Sequence, residues 1–289
     1  MSKAVTLALS LSVVLLAAGV GVWLRMESSS NSADVDRLSP SDTLTFNKDI
    51  APIVFNHCVT CHRPGESAPF HLLSYEDVKT HAEQVTEVTS SGFMPPWLPE
   101  PGYGKFVGER RLSRREIDII RQWVEEGVAE GDPADLPTLP QWNDGWQLGQ
   151  PNLVVTLPEP FTLPGEGTDI YHNFVLPIPV SKMRYVKAVE LRPGNKRIVY
   201  HAIMLIDRTG MTRQLDEKDP GPGFAGMIVE HAEHPDGYFL GWTPGKVPDA
   251  GSHGMSWRLY PGTDLVLQLH MVPTGKPELI QPSTSSNLD

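Results

Sequence analysis

The pentapeptide Cys58-Val59-Thr60-Cys61-His62 constrains this chain more than any other feature, because it contains both cysteines of the sequence. Two thiols with this spacing reach the two vinyl groups of one porphyrin and form thioethers. The adjacent imidazole then lies under the iron as its proximal ligand. The pattern therefore predicts one covalent c-type haem (haem c), attached through Cys58 and Cys61 with His62 on the iron.

A zinc site and a thioredoxin-like redox pair are the alternatives for two cysteines this close together. Structural zinc needs four ligands, commonly including a second cysteine pair, and the sequence has no other cysteine. A redox pair is typical of a βαβ context, which the flanking sequence does not offer. With both thiols committed to haem, no structural disulfide is available, so stability must come from packed cores, haem and any other metal.

Met94 is the predicted sixth ligand of the haem iron. It is the only methionine between His62 and the proline-rich stretch near Leu136, and it precedes Pro95 and Pro96. Consecutive prolines hold an extended backbone, which suits the presentation of a side chain to a metal from a loop. Methionine as the distal ligand raises the haem potential and favours electron transfer over oxygen activation. The rival ligands are His71 and His81.

The first 26 residues predict where the protein is located. Lys3 precedes an uncharged apolar run from Ala4 to Leu24, which at about 1.5 Å per residue just spans a hydrocarbon core of roughly 30 Å. The run is longer than the core of a usual signal peptide, and no clear Ala-x-Ala cleavage site follows it. Residues 1–26 are therefore predicted to be an uncleaved transmembrane anchor, with a removed signal peptide as the alternative. The remainder is then exported to the periplasmic side, and residues 27–42 form a flexible tether.

The charge of the chain limits its partners. A formal net charge of −11 argues against binding to nucleic acid or to an anionic membrane surface. Contact with the membrane is therefore predicted only through the N-terminal segment. An acidic surface suits a basic redox partner protein.

Three helix signals lie around and after the cysteine motif. The first helix is predicted to run into the motif, and the other two begin with residues typical of capping boxes. A helix before the motif, a loop carrying methionine and a C-terminal helix with an aromatic residue resemble the class I cytochrome c fold. The resemblance covers roughly residues 43–135 and implies an all-α cytochrome c domain there. The predicted N-terminal residues are Asn47, Ser74 with Asp77, and Ser113 with Glu116.

From residue 136 the pattern changes to β. Short runs rich in β-branched residues are bounded by Pro-Gly turns, and such runs without intervening helices indicate an antiparallel sandwich over residues 136–282. A polar tail, residues 283–289, follows. The predicted fold class is α + β with two domains, an all-α cytochrome c domain followed by an antiparallel β-sandwich. The predicted strands are 153–157, 174–176, 185–191, 198–206 and 265–271.

The β segment also resembles a known family. Its motifs, in order, are similar to the N-terminal half of the copper type II, ascorbate-dependent monooxygenases, which include the peptidylglycine and dopamine hydroxylases. Several bacterial members of that family carry a cytochrome c domain in front. The resemblance covers roughly residues 147–282 and rests on residues 171–176, 185–195, 199–202, 241–245 and 265–270.

The resemblance implies a copper site. In that family an adjacent His-His pair and a histidine on a later strand hold an electron-transfer copper. Here the pair is Tyr200-His201, so His201 matches the second member, Tyr200 replaces the first, and His270 matches the later ligand. If copper binds, the two imidazoles are expected to converge within about 4 Å, with Tyr200 on the opposite face of its strand. The candidates for a third ligand are His172, His231, His234 and His253.

The resemblance is incomplete at the C-terminus. The family's oxygen-binding copper lies in a second β-sandwich, and the sequence ends at Asp289, shortly after His270. The predicted function is therefore that of an exported c-type cytochrome that transfers single electrons, with a copper-monooxygenase-like β-domain attached. The first alternative is a copper-dependent hydroxylase that uses the haem as electron donor and lacks its oxygen-activating domain in this chain. The second is a haem sensor with a ligand-binding sandwich.

Overall fold

The computed structural model describes residues 43–288 except 107, 144, 239, 249–250 and 252–254. The predicted anchor and tether, residues 1–42, therefore lie outside the described residues, as does His253. Within the described part of the chain, no helix is long and apolar enough to cross a membrane. The residues from Leu44 onward form one compact unit.

The α-helices of the described residues are short, between six and twelve residues. A π-helical turn, Phe46–Ile50, leads directly into the first of them. Two 3-10 turns, Pro133–Asp135 and Pro235–Gly237, lie in the connecting segments. The helices are α1 (Ala51–His57), α2 (Tyr75–Thr80), α3 (Ala82–Ser90), α4 (Arg114–Glu125) and α5 (Met211–Asp216).

The capping boxes predicted at Ser74 and Ser113 are confirmed. In each, the serine side chain accepts a hydrogen bond from a backbone amide three residues later, and the acidic residue there accepts one from the serine amide. The helix that begins after Ser74 is, however, interrupted at His81, so that α2 and α3 are separate helices.

The cap predicted at Asn47 is wrong. The first helical turn begins one residue after Thr45, and Asn47 lies inside that turn. Asn47 is buried, and its side-chain amide donates to the carbonyl oxygens of Gly131 (3.3 Å) and Asp132 (3.0 Å). A buried amide must find hydrogen-bond partners, and here the segment after α4 supplies them.

Eleven strands follow in the described residues, and they include all five strands predicted from the sequence. The strands that the sequence did not indicate have two to six residues, and the longest of these, Ser283–Leu288, is polar. The strands are β1 (Leu153–Thr156), β2 (Phe161–Leu163), β3 (Ile170–Pro177), β4 (Arg184–Arg192), β5 (Val199–Asp207), β6 (Phe224–Ala225), β7 (Leu240–Trp242), β8 (Trp257–Leu259), β9 (Asp264–Met271), β10 (Glu278–Ile280) and β11 (Ser283–Leu288).

All of these strands pair antiparallel, in a five-stranded sheet of order β6-β3-β9-β5-β7, a four-stranded sheet of order β1-β11-β4-β8 and the pair β10-β2. The two larger sheets share their apolar clusters. Leu191 of β4 packs with Phe174 of β3 and Leu267 of β9, while Val186 of β4 packs with Ile206 of β5. Strand β9 lies at the centre of the five-stranded sheet, and every residue of it is buried.

The predicted fold class, α + β with two domains, is wrong. The described chain is predominantly β, with eleven strands against five short helices, and no separate all-α cytochrome c domain is present in it. The helices bury apolar residues against one another, as Phe46 with Trp123, but the segments between them also pack against the β part, so that both belong to one unit. Nζ of Lys196 lies 2.6 Å from Oε1 of Glu66, and the guanidinium carbon of Arg63 lies 4.6 Å from the ring centre of Trp142.

Candidate functional site

The cysteine motif forms a tight turn at the end of α1. Cys58 caps the helix, with its amide 2.8 Å from the carbonyl oxygen of Val54. The amides of Cys61 and His62 then both donate to the carbonyl of Cys58, at 3.1 and 3.0 Å. Both cysteines are free thiols. The turn therefore presents two unpaired thiols and an imidazole within five residues.

The orientation of His62 is set by a backbone carbonyl. Its Nδ1 atom lies 3.1 Å from the carbonyl oxygen of Phe70. A carbonyl can only accept, so Nδ1 carries the proton and the lone pair belongs to Nε2. Burial lowers the pKa of His62, and nearby His81 and His71 act in the same direction against the Phe70 carbonyl. A neutral imidazole with a hydrogen-bonded Nδ1–H is what a metal ligand requires.

The two thiols lie in surroundings that suppress the thiolate. Burial, and then the proximity of Cys61, raises the pKa of Cys58 to about 12. Burial also raises the pKa of Cys61, against the opposing effect of Arg110. A redox-active pair needs a thiol with a lowered pKa, because the thiolate is the nucleophile. These surroundings therefore argue against the thioredoxin-like alternative.

The three candidates for the sixth ligand all follow the motif: His71 lies before α2, His81 between α2 and α3, and Met94 after α3. The ring of His81 stacks on Phe70, with 3.8 Å between ring centres, and Phe70 also contacts the ring of His62. Met94 is half-buried after the end of α3, and its amide donates to the carbonyl oxygen of Val88 at 2.9 Å. The choice of Met94 over His71 and His81 stays a prediction.

The cysteine motif lies directly against the β part of the chain. A Cβ atom built on Gly245 would lie 2.6 Å from the sulfur of Cys61 and 2.6 Å from Nη1 of Arg110, so a side chain at this position would displace the thiol or the guanidinium. The same Nη1 donates to the carbonyl of Pro244 at 3.3 Å. Gly245 has φ +75°, in the left-handed region that glycine adopts without cost.

A cavity of about 1000 Å³ opens between the motif and the β part. Thr60 and Arg63, on either side of Cys61-His62, line one wall of it, and Trp242 and Gly245 line the other. Cofactor sites have volumes of this order. Cys58, Cys61 and His62 are not among the lining residues, so the fit to haem rests on the free thiols and the oriented imidazole.

The segment after β7 connects the motif to the histidine pair. Trp242, the last residue of β7, pairs with Ala202 of β5, which directly follows His201. Gly245 is three residues further along, at the sulfur of Cys61. Three residues span at most about 11 Å and paired strands lie about 5 Å apart, so the path from Gly245 to Ala202 is at most about 16 Å.

His201 and His270 meet across two neighbouring strands, as predicted. They are paired in the register of β5 with β9, and their Nδ1 atoms are 3.4 Å apart. Two metal–nitrogen bonds of about 2.0 Å to atoms 3.4 Å apart would enclose an angle of about 116°, near the tetrahedral value. Burial, and then the proximity of His270, lowers the pKa of His201, which favours the neutral form. The pair therefore supplies two of the nitrogen ligands that a metal ion would need.

The position predicted for Tyr200 is wrong. The register of β5 against β9 shifts between Val199 and His201, so Tyr200 is the extra residue of a β-bulge. A bulge interrupts the alternation of side chains, and Tyr200 consequently lies beside the pair. Its ring centre is 5.2 Å from that of His270 and 5.9 Å from that of His201. The bulge also explains how two adjacent residues can face one site.

Two residues that the sequence did not indicate complete the surroundings of His270. Asp169, just before β3, has Oδ2 2.5 Å from Nε2 of His270. Tyr171 is the register partner of His270 on β3, and its ring stacks on the imidazole with 4.3 Å between centres. No sequence motif marks Asp169, because its partner His270 lies 101 residues further along the chain.

The candidates for a third histidine do not join the pair in the described residues. His172 points to the other side of β3, where its Nε2 lies 2.8 Å from the carbonyl of Pro222 and its ring packs on Phe161. His231 and His234 are exposed. Among the residues that the structure describes, no three His, Cys, Asp or Glu side chains converge as metal ligands.

Comparison of the sequence with protein-family models and with curated proteins gave no match. The function must therefore be argued from the chemistry of the cysteine motif and of the histidine pair.

Proposed function

We propose that this chain is an electron-transfer protein that carries one c-type haem on Cys58, Cys61 and His62. The observation that carries the proposal is the orientation of His62, whose Nδ1–H donates to the Phe70 carbonyl so that Nε2 is available to iron. The two free thiols would hold the porphyrin as thioethers. When bound, the haem supplies reversible one-electron chemistry. The chain's own residues orient the ligand and shield the attachment site.

The location and partner are part of the same proposal. Covalent attachment of haem takes place outside the cytoplasm, which agrees with an exported protein held by the apolar N-terminal segment. The net charge of −11 favours a basic protein as redox partner. Such an encounter would be steered by charge and weakened by salt.

A copper ion on His201 and His270 is the second part of the proposal. It is supported by the 3.4 Å separation of the two Nδ1 atoms and by the preference of copper for imidazole. When bound, copper supplies a second one-electron centre. The short path through residues 242–245 then connects the two centres, which supports electron transfer between them.

Metal analysis of the purified protein tests the proposal. We expect one iron and one copper per chain, and we expect the double variant His201→Ala/His270→Ala to lose the copper while it retains the iron. Absence of iron from protein matured with a haem-attachment system would contradict the haem site. Iron without copper would contradict only the histidine site.

Replacement of Met94 tests the sixth ligand. Thioether ligation of ferric haem gives a weak absorption band near the red edge of the visible range, and Met94→Ala is expected to abolish it and to lower the reduction potential. Absorption spectra and a potentiometric titration measure both effects. The control is Met183→Ala, which removes an exposed methionine. An unchanged spectrum in Met94→Ala would transfer the role to His71 or His81, to be identified by the same substitution.

A further inference from the structure

The hydrogen bond between Asp169 and His270 determines which nitrogen of His270 is available. A carboxylate oxygen accepts, so the 2.5 Å contact of Oδ2 with Nε2 places the ring proton on Nε2. The lone pair of the neutral ring is then on Nδ1, which faces Nδ1 of His201 at 3.4 Å. The contact therefore selects the ring orientation and the tautomer that a metal between the two Nδ1 atoms would need.

The beginning of β3 holds the imidazole of His270 on two sides. Asp169 contacts the edge of the ring, and Tyr171 stacks on its face with an interplanar angle of 6°. His270 itself is only 8% exposed. A 180° flip of the ring, which would take Nδ1 away from His201, would keep the stacking on Tyr171 but break the contact with Asp169. The orientation of His270 is thus imposed by the neighbouring strand.

We infer that Asp169 is a positioning residue that makes His270 present Nδ1 to a metal ion shared with Nδ1 of His201. The inference rests on the proposed copper site. Carboxylate–histidine–metal arrangements fix the ligand and raise its basicity, and loss of the carboxylate typically costs 10–100-fold in metal affinity. In the metal-free protein, the same orientation lets Nδ1–H of His201 donate to Nδ1 of His270.

The exposed position of Asp169 makes the inference testable. Its side chain is 53% exposed, so its replacement is not expected to disturb folding. Glu166 lies three residues earlier in the same loop and is exposed, so Glu166→Ala is a charge-matched control. The variants for the test are Asp169→Ala, Asp169→Asn and the conservative Asp169→Glu.

The experiment is a titration of each purified variant with Cu²⁺ against a competing chelator, followed by pulsed EPR of the remote imidazole nitrogens. We expect Asp169→Ala to weaken copper binding by about 10-fold or more, Asp169→Asn to alter the remote-nitrogen signal of one imidazole, and Asp169→Glu to restore part of the affinity. Glu166→Ala should match the native protein. Thermal unfolding without metal should be the same for all variants.

Two results would count against the inference, and they have different meanings. If the native protein binds no copper at the histidine pair, the proposed copper site fails and the inference fails with it. If the native protein binds copper and Asp169→Ala binds it equally well with an unchanged remote-nitrogen signal, the copper site stands and the role of Asp169 is overturned.

Discussion

The double variant Cys58→Ala/Cys61→Ala is expected to lose all covalently attached haem, whereas the native chain should retain one haem per chain through denaturation. The physical reason is that both thioether bonds need the sulfur atoms of this one turn, since the sequence has no other cysteine. Extraction with acidified acetone and a haem stain after denaturing electrophoresis measure the effect. Both proteins should be matured with the same haem-attachment system.

The control for this experiment is His57→Ala. His57 directly precedes the motif but pairs with Glu116, at 3.2 Å, so its loss should leave the haem attached. Complete extraction of haem from the native protein would contradict the assignment. Retention of covalent haem in the double cysteine variant would contradict it equally, because the attachment would then involve other residues.

The variant Tyr200→His is expected to tighten copper binding on the order of 100-fold, about 2.8 kcal/mol. The bulge in β5 places the side chain of residue 200 beside both imidazoles, at ring distances similar to the 4.9 Å between His201 and His270 themselves. A histidine there would supply a third nitrogen ligand, and imidazole is a good ligand for copper. Chelator competition measures the affinity, and the hyperfine pattern in EPR counts the nitrogens.

The matched control is Tyr200→Phe, which keeps the ring and removes the hydroxyl. Because Tyr200 is 65% exposed, neither variant should disturb folding. Tyr200→Phe is expected to leave the nitrogen count of bound copper unchanged. Unchanged affinity and an unchanged nitrogen count in Tyr200→His would show that residue 200 does not face the metal, which would contradict the role of the bulge.

Local structure followed from the sequence wherever a few neighbouring residues decide it. The capping boxes at Ser74 and Ser113 depend on contacts three residues apart, and they form as predicted. Strand β9 lies at the centre of a sheet and is therefore rich in apolar residues. Those residues indicated the strand in the sequence. By contrast, β11 is polar, and its position between β1 and β4 depends on pairing with strands that are distant in the chain.

The fold class could not be predicted in the same way. The helix signals were real, and the helices do bury apolar residues against one another, as Phe46 with Trp123, but they do not form a separate unit. The segments between the helices also contact residues of the β part, and the partners are separated by 130 residues for Glu66 with Lys196 and by 134 for Arg110 with Pro244. Local propensity carries no information about such partners.

The sequence by itself determined the chemistry available to this protein. It provides two thiols and an imidazole on one turn, and two histidines, His201 and His270, on predicted strands. Only the tertiary structure decided how those groups are presented. It placed Gly245 on the sulfur of Cys61, put Tyr200 in a bulge beside His201, and brought Asp169 to His270. The physical reason is that residue type and short-range spacing are written in the chain, whereas ring orientation, tautomer and close approach depend on side chains that only folding brings together.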